Sequence, residues 1–406
     1  MPRTRFGVVF LTVFIDLAGF GLILPILPYY AQRFGAAGLG FGALVGVYSL
    51  MQFLATQILG KLSDRYGRRP LLLTTILFSG AGYVLFALAH SYWLLFVARL
   101  ISGFSGGNLS VAQAYVADVT SPAERSKGMG MIGAAFGLGF VVGPALGGVA
   151  GSYGGPTAPV WVAALLCAMN LVSAYFLLPE SLKPEHRSER SLLDLAHFQR
   201  AFTHPRIGPL MAFWLIVPIA FAGYTVSMPL YAAKSFGWRE RDLGWLFTIV
   251  GFTAAAVQGY FFAKISRHVK DRALMIAGAA GMALAIAVVP LQKSSTAIYA
   301  WTFVLAFANS IAVPAATGLV SRFAEPSEQG AMLGVAQAMA ALGRLLGPVA
   351  LGEVYDVAGA RWAFLAAGTL MFTACLTTLR LPSEDVASMG SLSAPLPPAE
   401  GGAPHP

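Results

Sequence analysis

Twelve apolar runs, each about 20 residues long and separated by short polar connections, restrict the possible folds more than any other property of the chain. They fall near residues 6–30, 40–59, 71–89, 92–116, 128–150, 158–178, 207–232, 243–263, 273–291, 296–320, 330–351 and 360–380. A run of that length crosses the hydrocarbon core of a bilayer as a helix, because only a helix bonds all its backbone N–H and C=O groups within one segment. Composition agrees. Of the 406 residues, 57% are hydrophobic and 11% charged, with a mean hydropathy of +0.68, whereas soluble domains are roughly 45–50% apolar. The reading is an all-α membrane protein with twelve transmembrane helices. The first run follows Arg3 and Arg5 and outlasts the apolar core of a signal peptide, so it is read as a retained span.

The formal charge of +9 does not point to nucleic acid, because the basic residues lie in short connections and not on one soluble face. Their distribution reports topology. If the N-terminus is inside, nineteen of the 27 Lys and Arg fall on the cytoplasmic side and six on the outside; Arg99 and Arg344 lie within spans. Both termini are therefore expected in the cytoplasm, in a bacterial-type inner (plasma) membrane. Cys167 and Cys375 stand apart inside apolar runs, which indicates neither a disulfide framework nor a metal site. No phosphate loop, HExxH motif or nucleophile elbow occurs. Neither an enzyme nor a cofactor is expected, and the partners are protons, a small molecule and lipid, with the chain as a monomer.

The chain repeats itself. Lys61, Ser63, Arg69 and Leu71 have counterparts 203 residues on at Lys264, Ser266, Arg272 and Leu274, while Gly139, Gly143 and Pro144 recur 204 residues on at Gly343, Gly347 and Pro348. Two pseudo-symmetric six-helix bundles, 1–178 and 207–382, are expected on either side of a polar linker, 179–206, with a short surface helix over 192–202. The Pro- and Gly-rich tail, 383–406, is expected to be disordered.

Among the acidic residues Asp16 alone falls in the middle of a span, and a carboxylate there is by default a proton or substrate site. Arg99 in the fourth span lies at similar depth and is its expected partner. Two readings stand: Asp16 carries protons as its distance to Arg99 changes, or the two form a structural ion pair that never titrates. Arg344 in the eleventh span either meets an anionic group or is satisfied by carbonyls, Glu353 or Asp356. Gln52, Asn108, Gln113, Gln258, Asn309 and Gln337, interleaved with Tyr48, Met51, Trp214, Tyr224, Met228 and Phe252, are candidates for a substrate cavity or for interhelical packing.

The connection Gly60-Lys-Leu-Ser-Asp64-Arg65-Tyr-Gly67-Arg68-Arg69-Pro70 joins the second and third spans. Gly60 suits close helix approach, Gly67 a turn, and Asp64 a helix N-terminus. This segment resembles the loop 2-3 signature of the major facilitator superfamily in the form found in drug:proton antiporters. Asp16 to Pro28 resembles the first-span motif of twelve-span members, and Arg99-Leu-Ile-Ser-Gly103 their fourth-span motif, which the resemblance links to proton coupling. Gly139, Gly143, Pro144, Gly147 and Gly148 are similar to the fifth-span signature of exporters. With Ala117-Asp118-Val-Thr120, these features look most like the tetracycline-resistance efflux group.

The resemblance implies two bundles with a substrate site between them, Asp16 and Arg99 in proton coupling, and a gating role for Gly60, Asp64, Arg65, Gly67, Arg68, Arg69 and Asp118. It implies efflux of a small amphipathic compound, such as tetracycline, in antiport with protons. Members that export a metal-tetracycline chelate carry an acid in the third span, a His in the eighth and an acid in the ninth; these spans have none, which puts tetracycline and a Mg²⁺ co-substrate in question. The alternatives are a proton-coupled transporter of a metabolite or sugar-like solute, and a non-transporting membrane sensor.

Overall fold

A computed structural model describes residues 3–120, 125–182, 195–325, 328–379 and 381. Its helices are α1 (Arg3–Ile23), α2 (Leu27–Arg33), α3 (Gly38–Tyr66), α4 (Arg68–Ala87), α5 (Tyr92–Ser105), α6 (Asn108–Val119), α7 (Arg125–Gly154), α8 (Ala158–Leu177), α9 (Leu195–Thr203), α10 (Gly208–Phe236), α11 (Glu240–Ala256), α12 (Phe262–Ile265), α13 (Asp271–Val288), α14 (Ser295–Phe323), α15 (Gln329–Ala358) and α16 (Ala360–Leu379). The chain is a twelve-span bundle. Among the described residues, eleven helical segments are long and apolar enough to cross a bilayer, and α1 with α2 supplies the twelfth as a pair bent by 46°. The bend follows Pro25, which has no backbone N–H to continue the helix.

Two spans change character partway. The fourth breaks at Gly106 and Gly107 between α5 and α6, and the eighth passes through a π-helical stretch, Val257–Phe261, between α11 and α12. The connection at 60–70 differs from its reading as a loop. α3 runs on to Tyr66 and α4 starts at Arg68, leaving only Gly67, at φ +103°, between them. Helix geometry thus carries the basic residues up to the turn itself. The linker does contain a short helix, α9; residues 183–194 and the tail 382–406 lie outside the described residues.

Each half packs its fifth span against its first by the same device. Cβ atoms at Gly139, Gly143 and Gly147 of α7 would meet Leu17, Ala18 and Leu22 of α1, and those at Gly343 and Gly347 of α15 would meet Leu215 and Ile219 of α10. The pattern repeats at the 204-residue offset read from the sequence. Small residues let these backbones approach where lipid offers no hydrophobic drive for association.

Two seams join the halves. In one, Gly38, Gly42 and Gly46 of α3 face Gly352, Pro348 and Leu345 of α15; in the other, Gly148 and Phe140 of α7 face Gly244 and Gly251 of α11. Both lie towards the end opposite the basic connections. There Asp356 also accepts the Gly38 and Leu39 amides at 2.8 and 2.7 Å, and the Tyr29 hydroxyl donates to the Trp238 carbonyl at 2.8 Å. Towards the basic end the seams stop: a Cβ at Gly133, Gly259 or Gly334 would meet nothing within 4 Å. The halves are closed at one end and parted at the other. On the outside, exposed Trp93, Tyr153, Trp161, Trp245 and Trp362 cluster near helix ends at the closed side, as an aromatic belt at a membrane interface does.

Candidate functional site

Asp16 sits midway along the first span. Gly19 beside it leaves room for the Tyr83 hydroxyl of α4, and Gly21 for Pro144 of α7, so α1 nests between its neighbours. The Asp16 carboxylate accepts a hydrogen bond from Asn108 Nδ2 and a long one, 3.5 Å, from Ser79 Oγ. Asn108 is the first residue of α6, immediately after the break at Gly106 and Gly107. That break matters because a Cβ at Gly107 would lie 2.7 Å from the Ala55 carbonyl carbon. Two glycines therefore let α3 press against the fourth span and bring the amide to the acid.

Arg99 does not pair with Asp16. Its Nε donates to the Leu44 carbonyl at 3.3 Å and its guanidinium lies 4.3 Å from the centre of the Tyr48 ring. The Tyr48 ring in turn meets Phe20 of α1, their centres 4.9 Å apart. Similar depth along their helices does not make the two residues partners, because the Leu44 carbonyl and the Tyr48 ring take up Arg99. Arg99 is 2% exposed, a setting in which a cation–π contact is worth about 2 kcal/mol or more.

The polar and aromatic candidates divide. Gln52 donates to the Gly106 carbonyl at 3.2 Å, tying α3 to the break in the fourth span. Gln113, Gln258 and Gln337 are exposed and Asn309 is half-buried. Trp214 and Tyr224, expected at a cavity, belong instead to the core of the second half: both are buried, and the Tyr224 hydroxyl meets Thr302 Oγ1 at 2.9 Å. Met228 is buried with them, whereas Phe252 is exposed. An aromatic residue in a span has the same sequence signature whether it faces core or cleft.

Arg344 is exposed halfway along α15 and has no hydrogen-bond or ion-pair partner among the described residues. Asp356, one of its expected partners, is engaged by the start of α3, and Glu353 projects about 180° around the helix at 100° per residue.

The basic connection forms a compact knot. Arg68 contacts Asp64 at 2.6 Å, Asp118 at 3.0 Å and Ser63 Oγ at 2.5 Å. Asp64 thus serves Arg68 and not a helix N-terminus. That role falls to Glu180, in the sequence one of the linker's charges, whose carboxylate accepts the Arg68 and Arg69 amides at 2.9 and 3.1 Å. Ser181 adds a bond to Asp118 at 3.1 Å. Arg69 reaches the Tyr175 carbonyl at 2.7 Å, and Arg65 lies over the Tyr66 ring. Gly60 is not needed for close approach, since a Cβ there would meet only Ser110 Oγ at 3.7 Å. Pro-Glu at the end of an apolar run was the available signal for Glu180, but it read as ordinary linker charge.

In the fifth span, Gly139, Gly143 and Gly147 face α1, whereas Gly148 faces Gly244 of the other half and Pro144 touches both. One helix thereby packs its own bundle and forms a seam.

Known proteins share this architecture. The tetracycline resistance protein, class C, of Escherichia coli is 30% identical over 376 residues, covering 91% of this chain and 94% of the relative. The crystal structure of the human organic anion transporter MFSD10 (TETRAN) is 27% identical with a TM-score of 0.68, covering 93% of this chain and 100% of that one. A bacterial homologue of the human lysosomal transporter Spinster shares the fold at 14% identity, with a TM-score of 0.79 over 94% of this chain and 98% of that chain. The sequence model of the Major Facilitator Superfamily matches residues 9–268 and 220–400. With twelve spans, two glycine seams and an internal repeat behind that match, the chain belongs to the Major Facilitator Superfamily, a family of membrane transporters.

Proposed function

We propose that the protein exports a small amphipathic organic compound in exchange for protons, by alternating access, with Asp16 as the proton carrier. The setting of Asp16 carries the reading: its partners are an amide and a hydroxyl, and no cation among the described residues is bonded to it. A bonded Arg would hold a carboxylate ionised. An amide serves either state, donating N–H to the carboxylate and offering its carbonyl to the protonated acid. An acid held this way within a membrane is free to gain and lose a proton.

On this reading the basic end faces the cytoplasm, as the nineteen-to-six distribution of Lys and Arg supports, with both termini on the cytoplasmic side of a bacterial-type inner membrane. The cleft of this structure then opens inward. The moving bodies are 1–178 and 207–382, linked by 179–206, in a chain working as a monomer; the knot at Asp64, Arg68 and Asp118 and the seams at Gly148 act as gates. Export of a drug is supported by the 30% identity to a tetracycline resistance protein.

The test is a susceptibility panel, including tetracyclines, in a pump-deficient host expressing wild type or Asp16→Asn. Wild type should raise the inhibitory concentration of at least one compound, and Asp16→Asn should raise none at equal membrane abundance. Equal protection by the variant would overturn the assignment of Asp16.

A further inference from the structure

We propose that Arg344 is the anion-binding residue of the cleft and that the transported compound is an amphipathic organic acid. The inference deepens the export reading and rests on it.

Position is the first support. Arg344 is the sixteenth of the thirty residues of α15, so it lies roughly 20 Å from either end at 1.5 Å per residue. On a helical wheel it shares a face with Gln337, seven residues before it, and Pro348, four after it. The Pro348 carbonyl packs on Gly42 of α3, so Arg344 lies beside the face α15 turns to the other half. Past the seam, towards the parted end, Gln337 on this face is exposed, as is Gly334 about 80° round the helix, where no heavy atom stands within 4 Å of a Cβ.

Charge is the second. Among the described residues, three of the Asp, Glu, Lys and Arg side chains lie deep within spans: Asp16, Arg99 and Arg344. Asp16 is bonded by Asn108 and Ser79, and Arg99 by the Leu44 carbonyl and the Tyr48 ring. Arg344 alone of the three has no partner among the described residues. An unbalanced guanidinium at that depth is costly. Its fork of donors matches a carboxylate, sulfonate or phosphate. The α10 backbone at Leu215 and Ile219 packs on the flanking Gly343 and Gly347, and the half-buried Leu215 and Ile219 side chains on that helix are the nearest apolar groups for the body of such a ligand. A cationic compound would meet repulsion at this point.

The test uses purified full-length protein and three matched pairs of probes: anthracene-9-carboxylate, biphenyl-4-carboxylate and 4-phenylbutyrate, each beside its own neutral amide. In wild type at least one acid should bind about 10- to 100-fold tighter than its amide, the range for a charge-assisted hydrogen bond. Arg344→Gln should bring that ratio to about one while amide affinity is kept, which shows that the variant is folded; Arg344→Lys should keep part of the preference. The proposal is overturned if no acid binds wild type, if acids and amides bind it equally, or if the preference survives in Arg344→Gln. Counterflow of a bound acid in proteoliposomes separates the two ideas. Acid preference without counterflow keeps the site and removes the export reading, and counterflow of amides without acid preference does the reverse.

Discussion

Asn108 holds the Asp16 carboxylate with a neutral amide, and this makes it the residue on which proton exchange most depends after the acid itself. Replacing it with Leu leaves the carboxylate only the long contact from Ser79. Hydrogen bonds to charged groups contribute about 1.5–3 kcal/mol, so Asn108→Leu should lower pH-gradient-driven transport in vesicles by roughly 10- to 100-fold, and Asn108→Gln should recover part of it. Unchanged transport in Asn108→Leu would mean that the amide is incidental. At this scale the sequence was informative where charge stood against an apolar background, as for Asp16 and Arg99. It was uninformative about partnership. Depth along a helix fixes one coordinate of three, so the sequence offers Arg99 to Asp16 although Tyr48 and Leu44 hold it, and leaves Asn108 as one amide among six.

At the scale of helices, glycine placement decides where the backbones touch. A Cβ at Gly244 would lie 2.8 Å from the Gly148 Cα, closer than side chains come to backbone. Gly244→Val should therefore hold the α7–α11 seam apart without disturbing either bundle's core. Cysteine reporters in the cleft should become reactive to a membrane-impermeant reagent added from outside, and transport should fall with them. Unaltered labelling and transport would show that this seam is not a gate. The glycine pattern was visible in the sequence, but its division of labour was not. Whether a glycine faces its own bundle, as Gly143 does, or the other half, as Gly148 does, depends on helix rotation, which an apolar run does not encode. Helix ends, too, depend on contacts from distant segments. Polar residues at 60–66 suggested a loop, yet Glu180 from the end of the sixth span caps α4 from outside the local sequence.

The repeat governs the whole molecule even where letters have diverged. The second copy of the basic connection has lost its glycines and proline, but Arg272 reaches the Leu379 carbonyl at 2.9 Å as Arg69 reaches Tyr175 at 2.7 Å. Across the same positions the pair Arg68 with Asp118 becomes Asp271 with Arg322, its charges exchanged. The tie persists with the opposite sign, which a comparison of residue types scores as loss. Twelve spans and two halves were legible because bilayer thickness and period leave long, regular traces. The closed end was not, since both end states of a rocking pair use the same helices. The direct test of the account is proton release. When a transported compound is added to purified protein in weakly buffered solution, wild type should release protons in proportion to the ligand bound, and Asp16→Asn should bind ligand and release none. Equal release from Asp16→Asn would contradict the account, because the proton would then come from another group.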